Sequence, residues 1–205
     1  MAAIMLVIAL LGLAATYGVT ALLHHEPAAA PPSDAGPRET RTLLGKTLDI
    51  PASWFRDATP AGQGFSSQID LRLELPLGHN GALRPIQVML LPLSQVRASA
   101  SLLDGVYLHQ FLPEELSGPA GLVGKPLDDT EGYANETVWY DALSPDPFVA
   151  KCMAAPDDTG PAECLRTVAL GGGIAAVYSF RADVLDDWKQ FDPQMRTWLA
   201  RIGAL

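Results

Sequence analysis

Residues 69–75 read IDLRLEL, and residues 86–91 read IQVMLL. In the first stretch an aliphatic side chain alternates with a charged one, which is typical of a β-strand with one buried and one solvated face. The second stretch is apolar except for Gln87 and is followed by Pro92, which indicates a more deeply buried strand. Because the turn-forming residues GHNG lie between the two at positions 78–81, the sequence predicts that the strands form a hairpin or part of a meander.

Outward from this hairpin, the pattern predicts further strands and two amphipathic helices. Helical spacing of apolar residues spans 93–111 and 184–202, and we expect Asp192 and Pro193 to break the second helix, with Asp192 capping its second piece. This order of elements predicts an α+β domain, with an antiparallel or mixed β-sheet packed with helices. The other strands are expected at residues 47–55, 121–125, 136–141, 148–153 and 165–180, the last interrupted by glycines 171–173.

The N-terminal segment predicts a membrane anchor. Of residues 1–23, 19 are hydrophobic and none is charged. The run 4–23 would span roughly 30 Å as a helix, which matches the hydrocarbon core of a bilayer. A cleavable signal usually has a shorter apolar run behind basic residues. We therefore expect an uncleaved single transmembrane helix at residues 1–25, with cleavage after the alanines at 28–30 as the alternative.

Residues 26–42 predict a Pro/Ala-rich tether between the anchor and a folded domain at residues 43–205. Positions 26–41 hold four prolines and almost no large apolar side chain. Such a composition buries no core and favours an extended chain, which would reach up to roughly 50 Å. The remaining stretch of about 160 residues is long enough to fold on its own.

Cys152 and Cys164 predict a disulfide bond. Each lies in an apolar strand segment, and the residues between them favour a turn, so the two thiols would face each other across a hairpin. Such a bond persists only in an oxidising compartment. Together with the anchor, the pair predicts a single-pass inner-membrane protein whose C-terminal domain lies in the periplasm. The alternative is a pair of buried free thiols in a cytoplasmic domain.

The charge of the chain is acidic and unevenly distributed. With 14 Lys and Arg against 23 Asp and Glu, the formal charge is −9, which argues against nucleic acid as a partner. Residues 104–163 hold 12 of the acids and two lysines, and thus a charge of −10. We expect either a solvated acidic face or a surface for a basic protein partner. The candidate interaction residues are Asp128, Asp129, Glu131, Asp157 and Asp158.

No catalytic signature appears in the sequence. The chain lacks the G-x-S-x-G, HExxH, phosphate-loop and haem-attachment patterns, so we assign neither catalytic residues nor a cofactor and do not expect an enzyme. Asp128, Asp129 and Glu131 are weak candidates for a divalent cation, because they lack the spacing of a calcium loop.

The order of elements, the segment Ile50-Pro51-Ala52-Ser53-Trp54, and Tyr178-Ser179-Phe180 followed by Trp188 resemble the PsbP-like superfamily. That family comprises α/β/α sandwiches, among them lumenal photosystem subunits and bacterial periplasmic lipoproteins. The resemblance covers residues 43–205 and implies docking to partners rather than catalysis. The chain departs from the lipoproteins by its predicted spanning anchor and from the photosystem subunits by its cysteine pair.

Three functional hypotheses follow. The first is a non-catalytic, membrane-anchored periplasmic accessory or interaction protein of an envelope complex. The second is a periplasmic ligand-binding module, which requires a deep apolar pocket between sheet and helices. The third is a hydrolase with an unrecognised site, which requires titratable groups that converge in one cleft.

Overall fold

A computed structural model describes residues 36–56, 64–78, 81–154 and 160–205, without the side chain of Glu131. The predicted anchor, most of the tether, and the candidate residues Asp157 and Asp158 lie outside these ranges. Within them, no helix combines the length and the apolar character that crossing a bilayer requires.

A seven-stranded antiparallel sheet forms the centre of the domain, with the strand order β4-β5-β10-β9-β8-β7-β6. The predicted hairpin is present, and Leu71 of β4 lies opposite Val88 of β5. The alternating leucines of β4 are buried and its charged residues point to the other face, as the period-two pattern requires. The strands are β4 Ile69–Leu77, β5 Ala82–Pro92, β6 Val123–Pro126, β7 Glu136–Tyr140, β8 Val149–Met153, β9 Glu163–Ala169 and β10 Ile174–Arg181.

A smaller sheet precedes it, with the order β2-β1-β3. Its strands are β1 Arg38–Leu43, β2 Lys46–Pro51 and β3 Gly64–Phe65. Strand β1 begins at Arg38, so residues 38–42 of the stretch assigned to the tether pair with β2. Packing holds this strand in place: Leu43 is fully buried, and the buried Arg41 guanidinium lies 4.9 Å from the centre of the Phe55 ring.

The first helix is shorter than predicted. Helix α1 covers Ser99–Gly105, and separate 3-10 turns at Leu93–Gln95 and Tyr107–His109 flank it. The backbone leaves the helical conformation at Ala98 and again at Val106, directly after Gly105. Glycine lowers helix propensity, so the apolar spacing over residues 93–111 is carried by three short pieces rather than one helix.

The second helix is not broken at its proline. Helix α2 runs from Trp188 to Arg201 with Pro193 inside it, after a 3-10 segment at Ala182–Asp187. Proline removes one helical hydrogen bond, but Phe191, Met195 and Leu199 bury a continuous face against the sheet on both sides of it. Asp192 does not cap a new helix, because it pairs with Arg166. The other 3-10 turns are Ala52–Trp54, Asp129–Glu131 and Gly171–Gly173.

The large sheet separates two hydrophobic cores. Helix α2 and the β1–β2 hairpin cover one face, where the Phe191 ring contacts those of Tyr178 and Phe180. Helix α1 covers part of the opposite face, where Leu103 and Tyr107 pack on Val138 and Val149. The α+β class is therefore confirmed, with a helix on each side of a mostly antiparallel structure.

Candidate interaction surface and the cleft beside Arg166

Strands β8 and β9 pair over a short distance and then separate. Their ladder consists of Lys151 opposite Leu165, Cys152 opposite Cys164 and Met153 opposite Glu163. Beyond it, the backbone amide of Thr167 donates to the hydroxyl of Ser99, at the start of α1, at 2.8 Å. At Thr167, the Ser99 side chain thus takes the place of a partner on β8.

Arg166 fills the gap between the separated strands. Its Nη1 donates to the carbonyl oxygen of Val149 at 3.1 Å, and its guanidinium lies 4.4 Å from the centre of the Phe148 ring. Its Nε and Nη2 donate to the two carboxylate oxygens of Asp192, at 3.0 and 2.6 Å. This bidentate pair is strongly directional and joins the sheet to α2 through a side chain that is 7% exposed.

A cleft of about 340 Å³ opens beside this pair. The start of α1, the end of β9, residues 146–147 and α2 form its walls, and four charged side chains line it: Asp146, Arg166, Asp192 and Arg196. Tyr178 also lines it, and burial, followed by the nearby carboxylate of Asp192, raises the pKa of its hydroxyl. The cleft therefore has a mixed lining of charged and apolar side chains, unlike the deep apolar pocket that the ligand-binding hypothesis requires.

The predicted disulfide bond is present. Cys152 and Cys164 are joined with their Cα atoms 3.9 Å apart, and both side chains are buried. They occupy directly opposed positions of β8 and β9. The bond lies one residue pair away from the point where the strands separate, so it ties them together next to the cleft.

The acidic segment of the sequence forms one end of the domain. We call β6, β7 and β8, with α1 and the loops that flank them, the acidic end. The opposite end of the domain comprises β4, β5 and β10, which carry Arg72, Arg84 and Arg181. Because residues 104–163 fold into neighbouring elements, the uneven charge of the sequence becomes an uneven charge in space. Among the described residues, the exposed acids at this end are Asp104, Glu114, Glu115, Asp129 and Asp146, whereas Glu163 lies opposite Arg181.

Among the acids of the segment whose side chains the structure describes, Glu136 is internal. Glu136 is buried and forms an ion pair with Lys151 at 2.6 Å. Burial, then this carboxylate and Tyr133, raise the pKa of Tyr107 to about 12. Glu136 and Lys151 thus belong to the second core and not to the surface.

Of the candidate residues named from the sequence, the structure describes the side chains of Asp128 and Asp129. Asp128 closes the 3-10 turn at Asp129–Glu131: its Oδ1 accepts from the hydroxyl of Thr130 at 2.7 Å and from its amide at 2.9 Å, and these bonds lower its pKa. Asp129 is exposed. In the part of the chain that the structure describes, no group of three His, Cys, Asp or Glu side chains is placed to hold a metal ion. That the candidate residues Asp128, Asp129, Glu131, Asp157 and Asp158 bind a protein partner stays a prediction.

The pair of Arg166 and Asp192 was not anticipated, although the sequence carries a signal for it. Arg166 lies between Cys164 and Val168 at a spacing of two, so strand alternation places it on the same face as these apolar residues. The register confirms this placement, because Arg166 lies opposite the buried Tyr178. An arginine on the core side of a strand requires hydrogen-bond acceptors within reach, and a carboxylate is the strongest of these.

Comparison with known proteins shows a fold relative but no family. No family model and no curated protein matches the chain. The fold is similar to that of an immunity protein of the type IV secretion system of Stenotrophomonas maltophilia, with a TM-score of 0.54 and 13% sequence identity. The similarity covers 86% of this chain and 98% of that one. The PsbP-like resemblance gains no support from family models and stays a hypothesis.

Proposed function

We propose that this chain is a non-catalytic immunity protein of the bacterial envelope, which binds a secreted toxic effector and blocks it. The observation that carries the proposal is the fold shared with a secretion-system immunity protein over nearly the whole of that protein. In its coarser form, the proposal is an envelope-associated accessory protein that acts through a protein partner.

The proposed location is the periplasm. The buried Cys152–Cys164 bond supports an oxidising compartment. Residues 1–25 would anchor the chain in the inner membrane. Since β1 starts at Arg38, the tether would comprise about 12 residues and reach roughly 37 Å if it is extended. A domain held in this way would meet an effector that arrives in the periplasm before it reaches its target.

The proposed binding mode is electrostatic attraction followed by docking at the acidic end. Exposed carboxylates there are concentrated on one side of the domain, whereas the ion-paired arginines Arg72, Arg84 and Arg181 lie on the other. Such a field would raise the association rate with a basic partner and would be weakened by salt. The bidentate pair of Arg166 and Asp192 keeps Asp192 engaged, which favours binding over acid–base chemistry in the cleft.

The test is protection of cells from a toxin. The full chain is expressed in a laboratory bacterium together with each secreted toxin encoded beside its gene, directed to the periplasm, and survival is measured. We expect the full chain to rescue growth against one toxin, and a version retargeted to the cytoplasm not to rescue it. No rescue by the full chain against any of these toxins would contradict the proposal.

A further inference from the structure

The loop between β7 and β8, residues 141–147, carries an unusual apolar side chain at its tip. Leu143 is 94% exposed, the highest value among the large apolar side chains of the described residues. Single exposed leucines are common on protein surfaces, so exposure alone does not indicate a function. The structure of the loop around Leu143 is what distinguishes it.

The loop is held in one conformation by its own hydrogen bonds. Oδ1 of Asp141 accepts from the amide of Leu143 at 3.0 Å. The Ser144 hydroxyl donates to the carbonyl oxygen of Asp146 at 2.9 Å and accepts from its amide at 3.2 Å. Pro145 and Pro147 further restrict the backbone. A loop ordered in advance loses little conformational entropy when it binds, so its side chains contribute more of their contact energy to affinity.

The base of the loop rests on the main core. The amide of Asp141 donates to the carbonyl oxygen of Phe148 at 3.0 Å and closes the loop. The Phe148 ring is buried between the Arg166 guanidinium at 4.4 Å and the ring of Trp188 at 5.6 Å. Leu143 is therefore displayed from a support that is tied to the sheet and to α2.

Two carboxylates flank the exposed leucine. Asp141 and Asp146 form no salt bridge within the described ranges, and Asp146 is exposed. Both lie at the acidic end of the domain. A complementary surface would offer an apolar socket of the size of one leucine, bordered by Lys or Arg side chains.

We infer that the loop at residues 141–147 is the element that docks into the effector, with Leu143 as its apolar anchor and Asp146 as its charged guide. The partner that this geometry fits is a protein with an apolar socket rimmed by basic groups. The inference rests on the proposed function, because it assigns the contact element of the same complex.

The experiment uses the toxin that the full chain neutralises in the survival assay, and measures its affinity and binding rates for purified variants of the chain. We expect Leu143→Ala to raise the Kd by about tenfold or more through a faster dissociation rate. Asp146→Asn should lower the association rate and reduce its dependence on salt. The fold should be unaffected, since both Leu143 and Asp146 use only backbone groups in the loop's hydrogen bonds.

Leu83→Ala is the matched control. Leu83 is 53% exposed and lies on β5, at the other end of the sheet, so the same chemical change should alter the Kd by less than about twofold. If Leu143→Ala binds like the wild type while the wild type neutralises the toxin, the inference is overturned and the proposed function stands. If the wild type binds and neutralises no toxin, both fall together.

Discussion

At the scale of single residues, Arg166 shows how a charge is tolerated inside a sheet. Its guanidinium exchanges water for two carboxylate oxygens, one carbonyl oxygen and one aromatic face. The desolvation penalty of a buried charge is offset only when such partners are complete. Loss of one partner should therefore be more harmful than loss of both.

We predict that Asp192→Ala lowers the free energy of unfolding by roughly 2–4 kcal/mol, because it leaves the arginine buried without its counterion. The value is below that of a fully buried pair, since Asp192 is 36% exposed. The double variant Arg166→Met, Asp192→Leu should recover most of the loss. Urea denaturation of both variants measures the difference, and a double variant less stable than Asp192→Ala would contradict the explanation.

Leu44 has a backbone conformation that is unfavourable for its side chain. It is 54% exposed and has a φ of 51°, in the left-handed region that favours glycine and asparagine. It is followed by Gly45, so the two form the tight turn between β1 and β2.

We predict that Leu44→Asn raises the free energy of unfolding by about 0.5–1 kcal/mol, because asparagine adopts this conformation with less strain. Leu44→Ala, which keeps the unfavourable backbone, should bring no such gain. Thermal unfolding of the two variants side by side decides the matter, and equal melting temperatures would show that strain at this turn is negligible.

At the scale of elements, the position of the Trp139 ring on β7 depends on two glycines, Gly124 of β6 and Gly118 of the loop before it. A Cβ atom at either position would overlap the ring of Trp139, and Gly124 is directly opposite Trp139 in the sheet. The ring therefore occupies the space that side chains would fill at both positions.

We predict that Gly124→Ala displaces Trp139 and lowers the free energy of unfolding by about 1–3 kcal/mol. Gly105→Ala in α1 provides the control with the opposite sign. A Cβ there meets nothing within 4 Å, so the change should stabilise the helix by about 0.5–1 kcal/mol. Denaturant titration, with tryptophan fluorescence as the probe for Trp139, distinguishes the two outcomes.

The short β8–β9 ladder depends on its disulfide bond. Only three residue pairs join these strands, and the bond lies at the middle one. We predict that the double variant Cys152→Ala, Cys164→Ala loses roughly 3 kcal/mol of stability, as expected for a closed loop of this length. A reductant should lower the melting temperature of the wild type and leave that of the variant unchanged. A reductant that leaves the melting temperature of the wild type unchanged would show that the bond does not stabilise the fold.

At the scale of the whole molecule, the two cores should share one alkaline transition. Burial raises the pKa of Tyr107, to about 12, and also that of Tyr178 above its ordinary value of 10.0. The two hydroxyls lie in different cores, on opposite faces of the sheet. Above pH 10 the unfolded chain loses these protons first, so the folded state is progressively disfavoured.

We predict that the free energy of unfolding falls between about pH 10 and about pH 12. Near neutrality both states keep these protons, so the two tyrosines give the free energy of unfolding no pH dependence there. Tyr107→Phe should show a smaller fall in the free energy of unfolding than the wild type, because one of the two buried hydroxyls with a raised pKa is absent. Urea denaturation at about pH 8 and about pH 11 measures the change. An identical fall in wild type and variant would exclude Tyr107 as a cause.

Local pattern determined much of the fold. Alternation in IDLRLEL and the turn residues after it predicted β4, β5 and their pairing, because the periodicity of a strand is written in consecutive residues. Two apolar segments, each with one cysteine and joined by turn-forming residues, predicted the contact between β8 and β9 for the same reason. The limits of α1 and the continuity of α2 through Pro193 were not predictable in this way, since they depend on what each helix packs against.

The sequence by itself determined an acidic chain with an apolar N-terminal segment, an α+β domain and a cysteine pair on adjacent strands. Only the tertiary structure decided which charged residues are inside, how Arg166 and Asp192 meet across 26 positions, and that Leu143 stands exposed on a closed loop. The physical reason is that periodicity fixes the face on which a side chain lies. Its partner on that face is chosen by the order in which strands and helices pack.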